Sequence, residues 1–225
     1  MCFNETASLA AFSIGVLSTM ILLHMKLYKF SIFYTSIFLM QLIEYYAHKS
    51  LLTNDTNMNK ISAYFGYFLI ITQPIILSYI SFNDLHKNSQ NTLIILCLAY
   101  IIYGLYVFLK TYKSKNFRIS YAENICKTTV CRLKWEYYNV NFYNSLILLL
   151  LYFSITYFVG FNRKSKNISI LPILTFLLGL TMLYVVFETK ELNINFSLNS
   201  LWSSLWCFMC VIVGPLVIMN KNLAI

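Results

Sequence analysis

The chain has 225 residues, 59% of them hydrophobic and only 11% charged. A soluble domain carries about 25% charged residues, so a soluble globule of this length is excluded: it lacks the polar groups to cover its surface, a demand that lipid removes. The 17 Lys and Arg against 8 Asp and Glu give a net charge of +9, but these cations fall between apolar runs, as in membrane loops. That placement argues against a nucleic-acid partner and for a lipid bilayer.

A helix needs about 20 apolar residues to cross the hydrocarbon core. Seven runs meet that length: Ser8–Met25, Phe30–His48, Ile61–Phe82, Thr92–Lys110, Tyr143–Phe161, Ile168–Phe187 and Leu201–Val217. The expectation is therefore an all-α integral membrane protein, a single seven-transmembrane helical bundle over residues 1–225. The first run is read as a retained span, because no basic n-region precedes it and no small-residue cleavage site follows. Pro74 is expected to kink the third helix, since proline removes a backbone N–H from the ladder.

The loop at 111–142, between helices four and five, is more than a linker. KNFRISYAEN and TTVCRLKWEYYNV alternate polar with aromatic or branched residues, which predicts a short hairpin or flap. Cys126 and Cys131 can bridge it as a disulfide if the loop is exoplasmic, or remain two free thiols. Seven spans place the termini on opposite sides. The positive-inside count is nearly balanced, because the long loop alone carries six Lys or Arg. The sequons at Asn4, Asn54 and Asn195 tip the expected orientation to an exoplasmic N-terminus and a cytoplasmic C-terminus.

Within the second run, MQLIEYYAHK sets a carboxylate in apolar surroundings. At 100° per residue Gln41, Glu44 and His48 fall within about 60° on one helical face. Lipid exposure of a carboxylate costs about 2.5–3.5 kcal/mol or more, so this face is expected to point into the bundle. Such a cluster suits a cation or a hydroxyl-bearing small molecule, with Gln73 of the next helix as a further polar candidate. It equally suits a structural clasp, because interhelical hydrogen bonds contribute about 0.6–2 kcal/mol.

Other chemistries fit less well. A retinal Schiff base needs a buried lysine, and the last run, LWSSLWCFMCVIVGP, has none. A zinc site needs about three converging ligands with an open position, whereas His24, His48 and His86 lie near scattered helix ends. No metal and no cofactor is expected. Cys207 and Cys210 are read as packing.

The opening MCFNETAS, the Gln41-x-x-Glu44 pair, Trp135 in CRLKWEY, and Ser204, Trp206, Cys207 and Phe208 near the end together resemble a family of uncharacterised multi-span membrane proteins from bacteria and viruses. Its members typically begin Met-Cys-Phe-Ser-Ala-Thr-Ala-Ser, which this chain matches at Met1, Cys2, Phe3, Thr6, Ala7 and Ser8 and leaves at Asn4 and Glu5. His48 stands where the family tends to have tryptophan, which weighs against a general Glu–His mechanism. The resemblance implies a shared bundle and a shared ligand site, and carries no established activity.

Three functions remain open on these residues. The leading one is a small-molecule or ion binding or transport protein using Glu44. The second is a membrane-embedded enzyme on a lipid or apolar substrate, with Glu44 as base and His48 or Cys2 as partner; no complete constellation is present, so the reading leans away from an enzyme. The third is a structural or accessory membrane protein.

Overall fold

The computed structural model describes residues 5–114, 117–121, 133–136, 142–164 and 211–221. In chain order these form α1 (Glu5–His24), α2 (Tyr28–Leu52), α3 (Thr56–Ser81) running into a 3-10 turn (Phe82–Asp84), α4 (Lys87–Lys113), β1 (Ile119–Tyr121), β2 (Leu133–Trp135), α5 (Phe142–Phe161) and a short α6 (Val213–Met219).

The protein is helical, but the seven-span reading is overturned. Three described segments are long and apolar enough to cross a membrane: Glu5–His24, Thr56–Asp84 and Lys87–Lys113. α2 has 25 residues yet is not among them, because its tyrosines and serines together with Gln41, Glu44 and His48 dilute its hydropathy. α5 contributes only a shorter apolar stretch, Ile147–Phe161. The sixth run, Ile168–Phe187, and the seventh as far as residue 210 lie outside the described residues, and α6, seven residues long, overlaps only the end of the seventh. Counting apolar residues along the chain cannot tell a helix that faces lipid from one that faces protein. α2 is of the second kind, with about half its residues buried between α1, α3 and the hairpin. The opposite placement of the termini rested on an odd number of spans and no longer follows.

α1 presents Ser8, Ala11, Gly15, Ser18 and Leu22 to the interior. This stripe of mostly small residues at helical spacing lets α2 approach closely. The Phe38 ring of α2 fills the notch over Gly15, where any Cβ would collide with it. The turn into α3 places Asn54 at φ 54°, a left-handed conformation that asparagine tolerates better than most residues. Asp55 then caps α3, its Oδ1 accepting from the backbone N–H of Asn57 and Met58, both at 3.0 Å.

α2 and α3 run antiparallel in one register fixed by two polar ties. Gln73 Nε2 donates to Ser36 O at 3.0 Å, and about four turns away Asn59 Nδ2 donates to Ser50 Oγ at 3.2 Å. Pro74 has no N–H to give the Ile70 carbonyl one turn earlier, so that acceptor is orphaned. The Tyr100 hydroxyl of α4 supplies the missing donor at 3.1 Å. Tyr67 of α3 donates in turn to Gly104 O of α4 at 2.6 Å, so tyrosines stitch the two helices together at the kink.

The segment between α4 and α5 contains a two-stranded antiparallel ladder, with Ile119 opposite Trp135 and Tyr121 opposite Leu133. It docks on one end of the bundle through three anchors. Phe117 stacks on Tyr64, centroids 4.4 Å apart. Trp135, fully buried, lies over Gly66. Asn59 pairs with Ile119 as a strand would, accepting from its N–H at 2.8 Å and donating to its carbonyl at 3.0 Å. At the opposite end Asp84 gathers the turns: it meets Lys29 Nζ at 3.2 Å and Arg163 at 3.9 Å, while its carbonyl accepts from Lys164 N at 2.8 Å.

Candidate functional site

Gln41, Glu44 and His48 share the buried face of α2, with relative exposures of 0%, 0% and 2%. A helical period of 3.6 aligns them, and the packing of α1, α3 and the hairpin around that face removes them from solvent. Because Gly15 and Phe12 of α1 meet Phe38 of α2, the antiparallel pairing brings Ser8 to the level of Glu44 and His48. Ser8 is buried as well.

The polar residues form a column that begins inside the bundle and ends at the hairpin. His48 Nδ1 lies 3.4 Å from the Tyr121 hydroxyl, and the two rings are 5.8 Å apart. Tyr121 is only partly buried. Burial raises its ionisation above the ordinary tyrosine range, and the negative charge of Glu5 adds to the effect. In the other direction the column stops at an aromatic plug: Phe12 against Phe38 at 5.6 Å, Phe38 against Tyr34 at 5.6 Å, and Tyr34 stacked on Phe30 at 5.9 Å. The site is thus polar toward the hairpin and closed by hydrocarbon below.

Among the described residues, neither amide atom of Gln41 has a hydrogen-bond partner, and the same holds for His48 Nε2 and Ser8 Oγ. Leaving a buried donor or acceptor unmet costs about 1–3 kcal/mol each. Gln41 therefore offers one donor and one acceptor, Ser8 a hydroxyl, His48 a ring nitrogen of either role, and Glu44 a carboxyl group, spread over about two turns of α2. This set matches a small guest that both donates and accepts hydrogen bonds, or a cation.

Gln73 sits elsewhere. Its amide donates to Ser36 O and accepts from the Tyr152 hydroxyl of α5 at 3.0 Å, so both of its functions are committed to tying α2, α3 and α5. Trp135 is buried in the hairpin over Gly66 of α3, and Ser8 is buried on α1. Cys2, Phe3, Cys126, Cys131, Ser204, Trp206, Cys207 and Phe208 lie outside the described residues. Among the described residues no three His, Cys, Asp or Glu side chains come together as a metal site. Sequence reasoning passed over Asn59, Tyr121 and Tyr152. The only trace of Asn59 is a polar residue just ahead of an apolar run, and the tyrosines are lost among 18 of their kind.

A groove of about 770 Å³ runs along the opposite face of α2, and neither Gln41, Glu44 nor His48 lines it. Neither a family model, nor a curated protein, nor a solved structure matches the chain.

Proposed function

We propose that this is a multi-pass membrane protein that binds a small molecule or cation in the polar column of α2, with Gln41 and Glu44 as its principal contacts and His48 at its mouth. Kinship with the Met-Cys-Phe family is part of the same proposal, since Gln41 and Glu44, two of the residues that carry the resemblance, lie in this column. The observation that carries the reading is Gln41: a completely buried carboxamide whose donor and acceptor both go unmet among the described residues. A bundle that needed Gln41 only for cohesion would have met at least one of them. The ligand class follows from the lining: small, carrying an ammonium or hydroxyl donor for Glu44 and a group that pairs with an amide.

Gln41→Leu separates this function from a structural clasp. Leucine is close in size and removes the unmet amide, so an empty site gains stability by about 1–3 kcal/mol or stays neutral. Native mass spectra of wild type, Gln41→Leu and Glu44→Gln in mild detergent read the occupant. The expected result is a retained small mass in wild type that both variants lose, with the thermal midpoint of Gln41→Leu no lower than that of its ligand-free parent. A wild type with no retained mass, together with a Gln41→Leu protein that unfolds more easily, assigns Gln41 to cohesion and defeats the proposal. Flux of the identified ligand into vesicles then decides whether binding serves transport.

A further inference from the structure

Two grooves meet at the α2–α3 turn, and their chemistry differs. One is the 770 Å³ groove between the outer faces of α2 and α3, lined by Leu42, Ile43, Tyr46, Ile61, Phe65 and Leu69 among others. From Met58 to Thr72 its α3 wall spans fourteen helical steps, about 21 Å at 1.5 Å per residue. The half-thickness of the hydrocarbon core is about 15 Å, so the groove reaches from the end of a membrane-length helix past the midplane. The other is a polar pocket of about 510 Å³ formed by the turn and β1, whose lining includes Asn54, Asn59, Lys60 and Arg118. Asp55 borders both, so the two adjoin there.

The geometry points to a site for one anionic phospholipid, its phosphate held by Lys60 and Arg118 in the polar pocket and an acyl chain laid in the groove between α2 and α3. Both cations are exposed, and among the described residues neither makes a salt bridge. Asp55 lines the same pocket with its Oδ1 turned to the N-terminal N–H groups of α3, so two cations stand against one carboxylate there. The occupant must be amphipathic: a free phosphate leaves the apolar groove empty, and an alkane leaves the two cations unanswered. The site is independent of the Gln41–Glu44 column, which opens on the other face of α2.

Titration of protein purified from a bacterial host with phosphatidylglycerol and, separately, phosphatidylcholine, read by native mass spectrometry, tests this. Wild type is expected to retain phosphatidylglycerol in preference to phosphatidylcholine. Lys60→Gln and Arg118→Gln each weaken that retention about fivefold, and the deacylated headgroup glycerophosphoglycerol does not compete. Both substitutions are on exposed side chains, and among the described residues Arg118 joins the hairpin through its backbone carbonyl, which the substitutions keep, so the fold is preserved. Equal retention of the two lipids, undiminished retention in the double variant, or displacement by the deacylated headgroup overturns the proposal. So does a lipid-free dimer, which would show the groove covered by a second copy.

Discussion

Asn59 holds the hairpin to the bundle, and its removal has a cost that follows from three hydrogen bonds. In the β1–β2 ladder the N–H and carbonyl of Ile119 point away from Trp135 and toward α3, where the Asn59 amide meets them at 2.8 and 3.0 Å. Asn59→Leu leaves both groups unmet. Ser50 loses less, because its hydroxyl still donates to Ala47 O at 2.7 Å. Two orphaned backbone groups cost about 2–6 kcal/mol if they stay dry. Asn59 borders the 510 Å³ polar pocket, so water reaches them and the lower end, about 2 kcal/mol, is expected. That converts to roughly a 30-fold rise in the opening equilibrium of the hairpin. Hydrogen–deuterium exchange of peptides covering 117–121 and 133–136, in the regime where exchange reports the opening equilibrium, measures it directly. Asn59→Asp keeps the acceptor for Ile119 N–H and loses the donor for its carbonyl, so it falls between wild type and leucine. Unchanged exchange in the leucine variant would refute the reasoning, showing that Phe117 and Trp135 alone seat the hairpin.

Other consequences can be checked separately. Gly66→Ala puts a Cβ 2.5 Å from Trp135 Cζ3 and 2.8 Å from Cη2, so the indole must leave its seat; a red-shifted emission component that disappears in the Gly66→Ala/Trp135→Phe double variant is expected. Tyr100→Phe orphans the Ile70 carbonyl and costs about 1–3 kcal/mol in unfolding experiments, but much less in a Pro74→Ala background, where the restored N–H takes over; equal costs in both backgrounds would show that the hydroxyl does not compensate the proline. Tyr121 ionises above its ordinary value of about 10 in the folded protein, so the stability it contributes is fully present below pH 10 and declines as pH rises through the folded value. Tyr121→Phe is expected to abolish that alkaline decline in hairpin exchange.

The helices are legible because apolar side chains recur along the chain, and the first five apolar runs each sit within or largely overlap a helix. Their ends are less legible. The third run begins at Ile61 by hydropathy, whereas the cap at Asp55 starts the helix a turn earlier and brings Asn59 and Lys60 onto it. That polar first turn holds both the hairpin tie and one of the phosphate-facing cations, and an apolar count discards it. Co-facial placement of Gln41, Glu44 and His48 follows from the helical period alone. The separation of Gln73 from them does not, since it depends on how α2 and α3 slide past each other, which the Ser36–Gln73 and Ser50–Asn59 pairs determine. Nor does hydropathy report that α2 is wrapped by protein while α1 and α4 expose broad apolar faces.

Gln41 and Gln73 make the argument for a site by contrast. Both are glutamines with no solvent exposure, on facing antiparallel helices. Gln73 is met on both sides, by a backbone carbonyl from α2 and a tyrosine hydroxyl from α5. The fold can therefore satisfy a buried carboxamide where cohesion is what the residue provides. At Gln41 it does not, and the unmet atoms around it are not scattered. Ser8 and His48 fall at the same hairpin end, whereas Thr19 lies further along α1 and Ser81 and Arg163 sit near the charged turns of the opposite end. The grouping of Gln41, Ser8 and His48 between an aromatic plug and the hairpin is the arrangement expected where hydrogen-bonding capacity is kept for a guest that enters from the hairpin side.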